Sequence, residues 1–96
     1  MVKHIVLFKL KNPTVTECEK AKEVLLSMRG KVPEISDIQV GVDFLHSERS
    51  YDVALEVTVK DRAALDAYQC DPYHVGAVKP HMHAVRSSSV AIDYEF

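Results

Sequence analysis

The sequence predicts an α+β domain in which a four-stranded antiparallel sheet carries helices on one face, in the order β-α-β-β-α-β. Three observations lead there. Apolar residues recur with the two-residue period of a strand at Val2–Leu10, at Tyr51–Val59 and again from Ser87 to Tyr94. Between the first two of these, apolar residues 18, 21, 24, 25 and 28 fall at helical spacing. A second helical stretch, interrupted by Asp71-Pro72, precedes the last strand.

In the first strand Val2, His4, Val6, Phe8 and Leu10 share one face, and Lys3, Ile5, Leu7 and Lys9 the other, because successive side chains of a strand point to opposite sides. Asn12-Pro13 ends it. Thr16 followed by Glu19 reads as a capping box, in which hydroxyl and carboxylate each satisfy an N–H that the first helical turn leaves unpaired. The helix behind it buries Cys18, Ala21, Val24, Leu25 and Met28 and stops at Gly30, backed by Pro33. Ile35, Ile38, Val40 and Val42 make the second strand, and Tyr51, Val53, Leu55, Val57 and Val59 the third. The polar tip from Phe44 to Ser50 joins them as an extended hairpin. Asp61 caps a short helix carrying Ala64, Leu65 and Tyr68. Asp71 then caps a new segment with Pro72 at its first position, where a missing N–H costs nothing. Val75, Val78, Met82 and Val85 form its apolar stripe, and Pro80 is expected to kink or restart it.

Right-handed crossovers fold this order into the ferredoxin-like arrangement. Once helices cover the face of His4, Val6 and Phe8, Ile5 and Leu7 remain on a bare sheet face. A domain this small buries only about 60% of its unfolded surface, so a second copy on that face would supply core that one copy lacks. A homodimer through the open sheet face is therefore expected.

Residues 1–96 form one domain. The net charge of −2 denies the clustered Lys/Arg excess that phosphate backbones require, so no nucleic-acid partner is expected. No apolar run is long enough to span a membrane, and Lys3, Lys9 and Lys11 interrupt any signal-peptide core. Cys18 and Cys70, in a chain without an export signal, read as free thiols in a reducing compartment, hence a cytoplasmic protein.

The chemistry-bearing residues gather around the proline break. Tyr68 and His74 bracket Asp71-Pro72, and His4 lies on the helix-facing side of the first strand. An imidazole can take a proton at neutral pH, and a phenol can donate a hydrogen bond to a carbonyl gaining negative charge. His74 as base, Tyr68 as donor and His4 as orienting group would suit enolisation, aldol cyclisation or a similar cofactor-free step. Val6, Phe8, Leu55, Val78 and Met82 would wall the cavity around them. His81-Met82-His83 points its two imidazoles apart on a helix, and Pro72 separates Cys70 from His74, so neither makes a metal site. His81 and His83 read as exposed histidines, and Cys70 as a small, partly buried residue. No metal and no cofactor are expected.

The opening Val2-Lys3-His4-Ile5-Val6-Leu7-Phe8-Lys9, Tyr51 at the third strand, the segment Tyr68 to His74 and the closing Ile92-Asp93-Tyr94-Glu95 together resemble the stress-responsive A/B barrel domain. That family of dimeric α+β barrels includes plant heat-stable proteins and a polyketide cyclase. The resemblance implies two protomers packed sheet to sheet with helices outside. From the cyclase branch it implies that Tyr68 and His74 do the chemistry while His4 lines the same cavity. The sequence departs from that branch at Asp71, where histidine is frequent, and at Val53, where the cyclase has a further histidine. Two functions follow as expectations. One is a small-molecule binder for an apolar or carbonyl ligand, extending to a cyclase or isomerase; the alternative is a non-catalytic structural or stress-protective oligomer.

Overall fold

The computed structural model describes residues 1–96. Its strands are β1 (Val2–Leu10), β2 (Ile35–Val42), β3 (Val53–Val59) and β4 (Arg86–Glu95), and its helices α1 (Val15–Leu26), α2 (Arg62–Cys70) and α3 (Lys79–Val85). A π-helical turn, His74–Val78, leads directly into α3. The strands form one antiparallel sheet in the order β2-β3-β1-β4, a ferredoxin-like fold. Because β1 is central, His4 lies opposite Val57 on one side and Asp93 on the other. No helix is long and apolar enough to cross a membrane.

The two-residue alternation sorts the sheet into two faces. Val2, His4, Phe8 and Leu10 are buried with Val53, Leu55, Val57 and Val59, under Ala21, Leu25 and Met28 from the α1 side and Tyr68, Val78 and Met82 from the other helices. On the opposite face Ile5 and Leu7 are half-buried. They pair in register with Ile92 and Val90, which are 58% and 47% exposed, and Tyr94 beside them is 45% exposed. The result is a continuous apolar strip on uncovered sheet.

Three local expectations change. The cap of α1 is Thr14, whose hydroxyl accepts from the Glu17 N–H at 3.1 Å, rather than Thr16. The chain repeats Thr-x-x-Glu two residues apart, and the earlier start adds half a turn of helix without altering the buried stripe Cys18, Ala21 and Leu25. That helix also ends early, at Leu26, and turns through Met28 to Gly30, whose φ of 78° is the left-handed conformation glycine adopts without strain. Finally, β3 starts at Val53 and not Tyr51. Just before it, Asp52 ties the end of β1: its N–H donates to the Phe8 carbonyl at 2.8 Å, and its carboxylate accepts from the Leu10 N–H at 2.8 Å.

Candidate functional site

Each of the three residues singled out in the sequence is held by a different element. His4 projects from the central strand into the helix-covered side and is 6% exposed. Its Nδ1 contacts the Asp93 carboxylate across the β1–β4 ladder; a carboxylate only accepts, so that nitrogen carries the hydrogen. Tyr68, in the last turn of α2, is fully buried, yet its hydroxyl has no hydrogen-bond partner.

His74 is placed by the chain around it. Asp71 caps the segment as expected, its carboxylate accepting from the N–H groups of Tyr73 (2.8 Å) and His74 (3.2 Å). Pro80 then has no N–H to give, and its ring would crowd the Gly76 carbonyl in a regular α-helix. The backbone opens into a π-helical turn in which the Lys79 N–H reaches back to the His74 carbonyl, and α3 proceeds past the proline. This wider turn corrects the predicted stripe. His74 is buried (8% exposed) one π-turn before the buried Val78, while Val75, expected inward, is 45% exposed.

The geometry brings the three together. The Tyr68 and His74 rings stack with centroids 4.4 Å apart, and His4 meets Tyr68 edge-on at 5.5 Å. His74 Nδ1 lies 3.0 Å from the Tyr68 carbonyl oxygen, which can only accept, so in the neutral ring Nε2 is the basic atom. Burial lowers the His74 pKa; the carbonyl hydrogen bond opposes this in part, and the neighbouring charges of Lys79 and His4 add to the lowering. The ring is therefore neutral at pH 7. Burial, helped by the Asp93 charge, raises the Tyr68 pKa, so the phenol keeps its proton. A buried proton donor with nothing to donate to thus stands against a neutral imidazole with a free lone pair.

These groups border a cavity of about 220 Å³ between sheet and helices, with Val6, Phe8, Leu55, Val78 and Met82 in its walls. Lys79, His83 and Arg86 also line it, the first and last half-buried and His83 exposed. Sequence reasoning missed the Asp93 carboxylate and the cations Lys79 and Arg86. Asp93 could have been found from β4 alternation, which puts it on the helix side in register with His4, whereas Lys79 and Arg86 carried no pattern to mark them.

The remaining candidates do not converge. No group of three His, Cys, Asp or Glu side chains is placed to hold a metal. Cys70 is exposed rather than partly buried, and Cys18 is buried, with its thiol pKa raised chiefly by desolvation. His83 is exposed, but His81 is half-buried, with Nε2 enclosed and unpartnered.

The sequence profile described as the Stress responsive A/B Barrel Domain matches residues 2–96. No curated protein sequence matches the chain. Solved structures do. A dimeric ferredoxin-like protein of unknown function from Bacteroides fragilis is 31% identical, with a TM-score of 0.84 over 99% of this chain and 95% of that one. A dimeric ferredoxin-like protein of unknown function from Thermobifida fusca is 23% identical, with a TM-score of 0.84 and coverage of 99% and 90%. The Arabidopsis thaliana protein At3g17210 is 19% identical, with a TM-score of 0.85 and coverage of 100% and 95%. The latter two likenesses speak for the fold alone.

Proposed function

The chain belongs to the stress-responsive A/B barrel domain family, and from that footing we propose that it binds a small carbonyl compound between sheet and helices and catalyses proton transfer on it without a cofactor. The carrying observation is Tyr68, a lining residue of the cavity whose ring stacks against His74 and whose buried hydroxyl has no partner. An unsatisfied buried hydroxyl is costly, and it is suited to receive a carbonyl oxygen whose negative charge grows as a neighbouring C–H is ionised. His74 Nε2 is the base for that proton. His4, held by Asp93, packs against the edge of Tyr68 and orients it. Enolisation, isomerisation and aldol cyclisation all begin with this step.

The protein acts as a homodimer through the bare sheet face, an inference supported by the exposed strip of Val90, Ile92 and Tyr94 and by the dimeric relatives. The competing reading is an oligomer whose cavity is incidental, and the same strip is what favours it.

Deuterium exchange separates the two. The protein is incubated with β-benzoylpropionate in D2O, and loss of the methylene proton signal next to the ketone is followed by NMR. The proposal expects exchange faster than in buffer, reduced about 100-fold or more in His74→Gln and in Tyr68→Phe. Exchange no faster than in buffer, or unaltered in both variants, would remove the catalytic reading.

A further inference from the structure

The charge around the cavity is at odds with the charge of the chain. The protein carries 14 acidic against 12 basic side chains, yet no Asp or Glu lines this cavity, whereas Lys79 and Arg86 do. Both cations are half-buried. Neither forms an ion pair: the salt bridges of the protein join His4 to Asp93, His46 to Asp43 and Arg62 to Glu95. Arg86 spends one guanidinium N–H on the Ser89 hydroxyl at 3.0 Å, and Lys79 reaches only the Gln69 carbonyl at 3.4 Å. A guanidinium offers five N–H donors, so most of the Arg86 fork is left open.

The nearby carboxylates are already engaged. Asp93 is held by His4, and Asp71 caps the π-helical turn. A partly desolvated, unpaired cation is unfavourable, and two of them on the lining of a largely apolar cavity are complementary to an anionic group on an apolar body.

We propose that the ligand is a small keto acid, its carboxylate held by the cavity-lining cations Arg86 and Lys79 and its ketone directed to Tyr68 and His74. A carboxylate fits because the planar guanidinium fork matches it in two parallel hydrogen bonds. The apolar walls take the carbon skeleton, and the cavity volume of about 220 Å³ limits it to a compact one. This inference rests on the carbonyl-binding role given above to Tyr68 and His74, and adds the charge of what is bound.

The test compares an acid with its neutral analogue on the full-length protein. Binding of β-benzoylpropionate and of its primary amide is measured by calorimetry for the wild type, Arg86→Gln, Lys79→Gln, the double variant and Tyr68→Phe, each verified as folded by circular dichroism. The expected result is an acid-to-amide preference of about tenfold or more, since hydrogen bonds to charged groups are the stronger class. The preference should shrink in each single variant, vanish in the double variant and weaken with added salt. Equal affinity for acid and amide, or a preference that survives the double variant, overturns the keto-acid inference. If Tyr68→Phe still weakens both ligands in that case, the carbonyl site stands without it. Failure of both ligands to bind overturns the two together.

Discussion

Tyr68→Phe should make the protein more stable while disabling it. The substitution deletes one oxygen from a side chain that is fully buried and whose hydroxyl has no partner. Nothing is lost in hydrogen bonding, and the desolvation penalty of an unsatisfied buried hydroxyl, about 1–3 kcal/mol, is relieved. Against this stands only the small void left by the oxygen. Taking the low end, a gain of about 1 kcal/mol corresponds to a rise of about 4–8 °C in Tm for a domain of this size. The ring itself keeps its stack on His74 and its edge contact with His4, so the core is not otherwise disturbed. Urea and thermal unfolding of the ligand-free protein would be compared at equal protein concentration, because dimerisation makes Tm concentration-dependent. A loss of about 1 kcal/mol or more would refute the reasoning, since it would mean that the hydroxyl is already satisfied and is not the open donor that the site requires.

Two further outcomes follow from the same geometry. The His74 pKa is lowered by folding, so as pH falls below about 6.5 the unfolded chain takes up a proton that the folded chain refuses, and stability falls with it. That contribution is intact above about pH 6.5 and is lost as pH drops toward the folded pKa; its slope is at most about 1.4 kcal/mol per pH unit, and urea unfolding from about pH 7 to pH 5 should show it diminished in His74→Gln. On the opposite face, Ile92→Glu leaves a free protomer undisturbed, because Ile92 is 58% exposed, but it places an unpaired charge in the proposed dimer contact. Sedimentation equilibrium should show association weakened about 100-fold or more, several kcal/mol of buried charge; an unaltered association constant would take this face out of the interface.

The fold was legible because its signals are periodic and redundant. Val2–Leu10 alternates over nine residues and is found as a strand with those bounds, and the buried stripe of α1 survives an error of two residues in its cap. Local chemistry was harder to read where two signals competed. Thr14 and Thr16 both begin a Thr-x-x-Glu pattern, and only the packed helix selects between them. The site was legible in its residue types and illegible in its geometry. His74 was picked out for its distance from Tyr68 along the chain, but it lies in a π-helical turn, where His74 is buried and Val75, which the apolar stripe assigned inward, is exposed. Pro80 was the available clue: a proline that neither ends nor kinks its helix must be accommodated by a wider turn before it. Lys79 and Arg86 were invisible for another reason. A single charge at the first position of a helix or a strand has no periodic signature, and only the absence of carboxylates around a folded cavity gives these two a meaning.

Assembly does not account for the cavity. Every apolar side chain of β1 that a sheet-to-sheet contact could use, Ile5 and Leu7, sits one residue out of phase with His4, Val6 and Phe8. The strand therefore sends its two sets to opposite faces, and the contact that would hold two protomers together asks nothing of the other set. A chain selected only to assemble would be served by closing the helix side as tightly as it closes around Met28, Ile38 and Val57. Instead that side keeps an unsatisfied phenol, an imidazole held neutral by burial and two unpaired cations, all bordering one cavity. Each is a departure from good packing with its own cost, and such departures persist where function uses them. Their convergence on one volume, on the face that the proposed dimer leaves alone, is what the incidental-cavity reading does not explain.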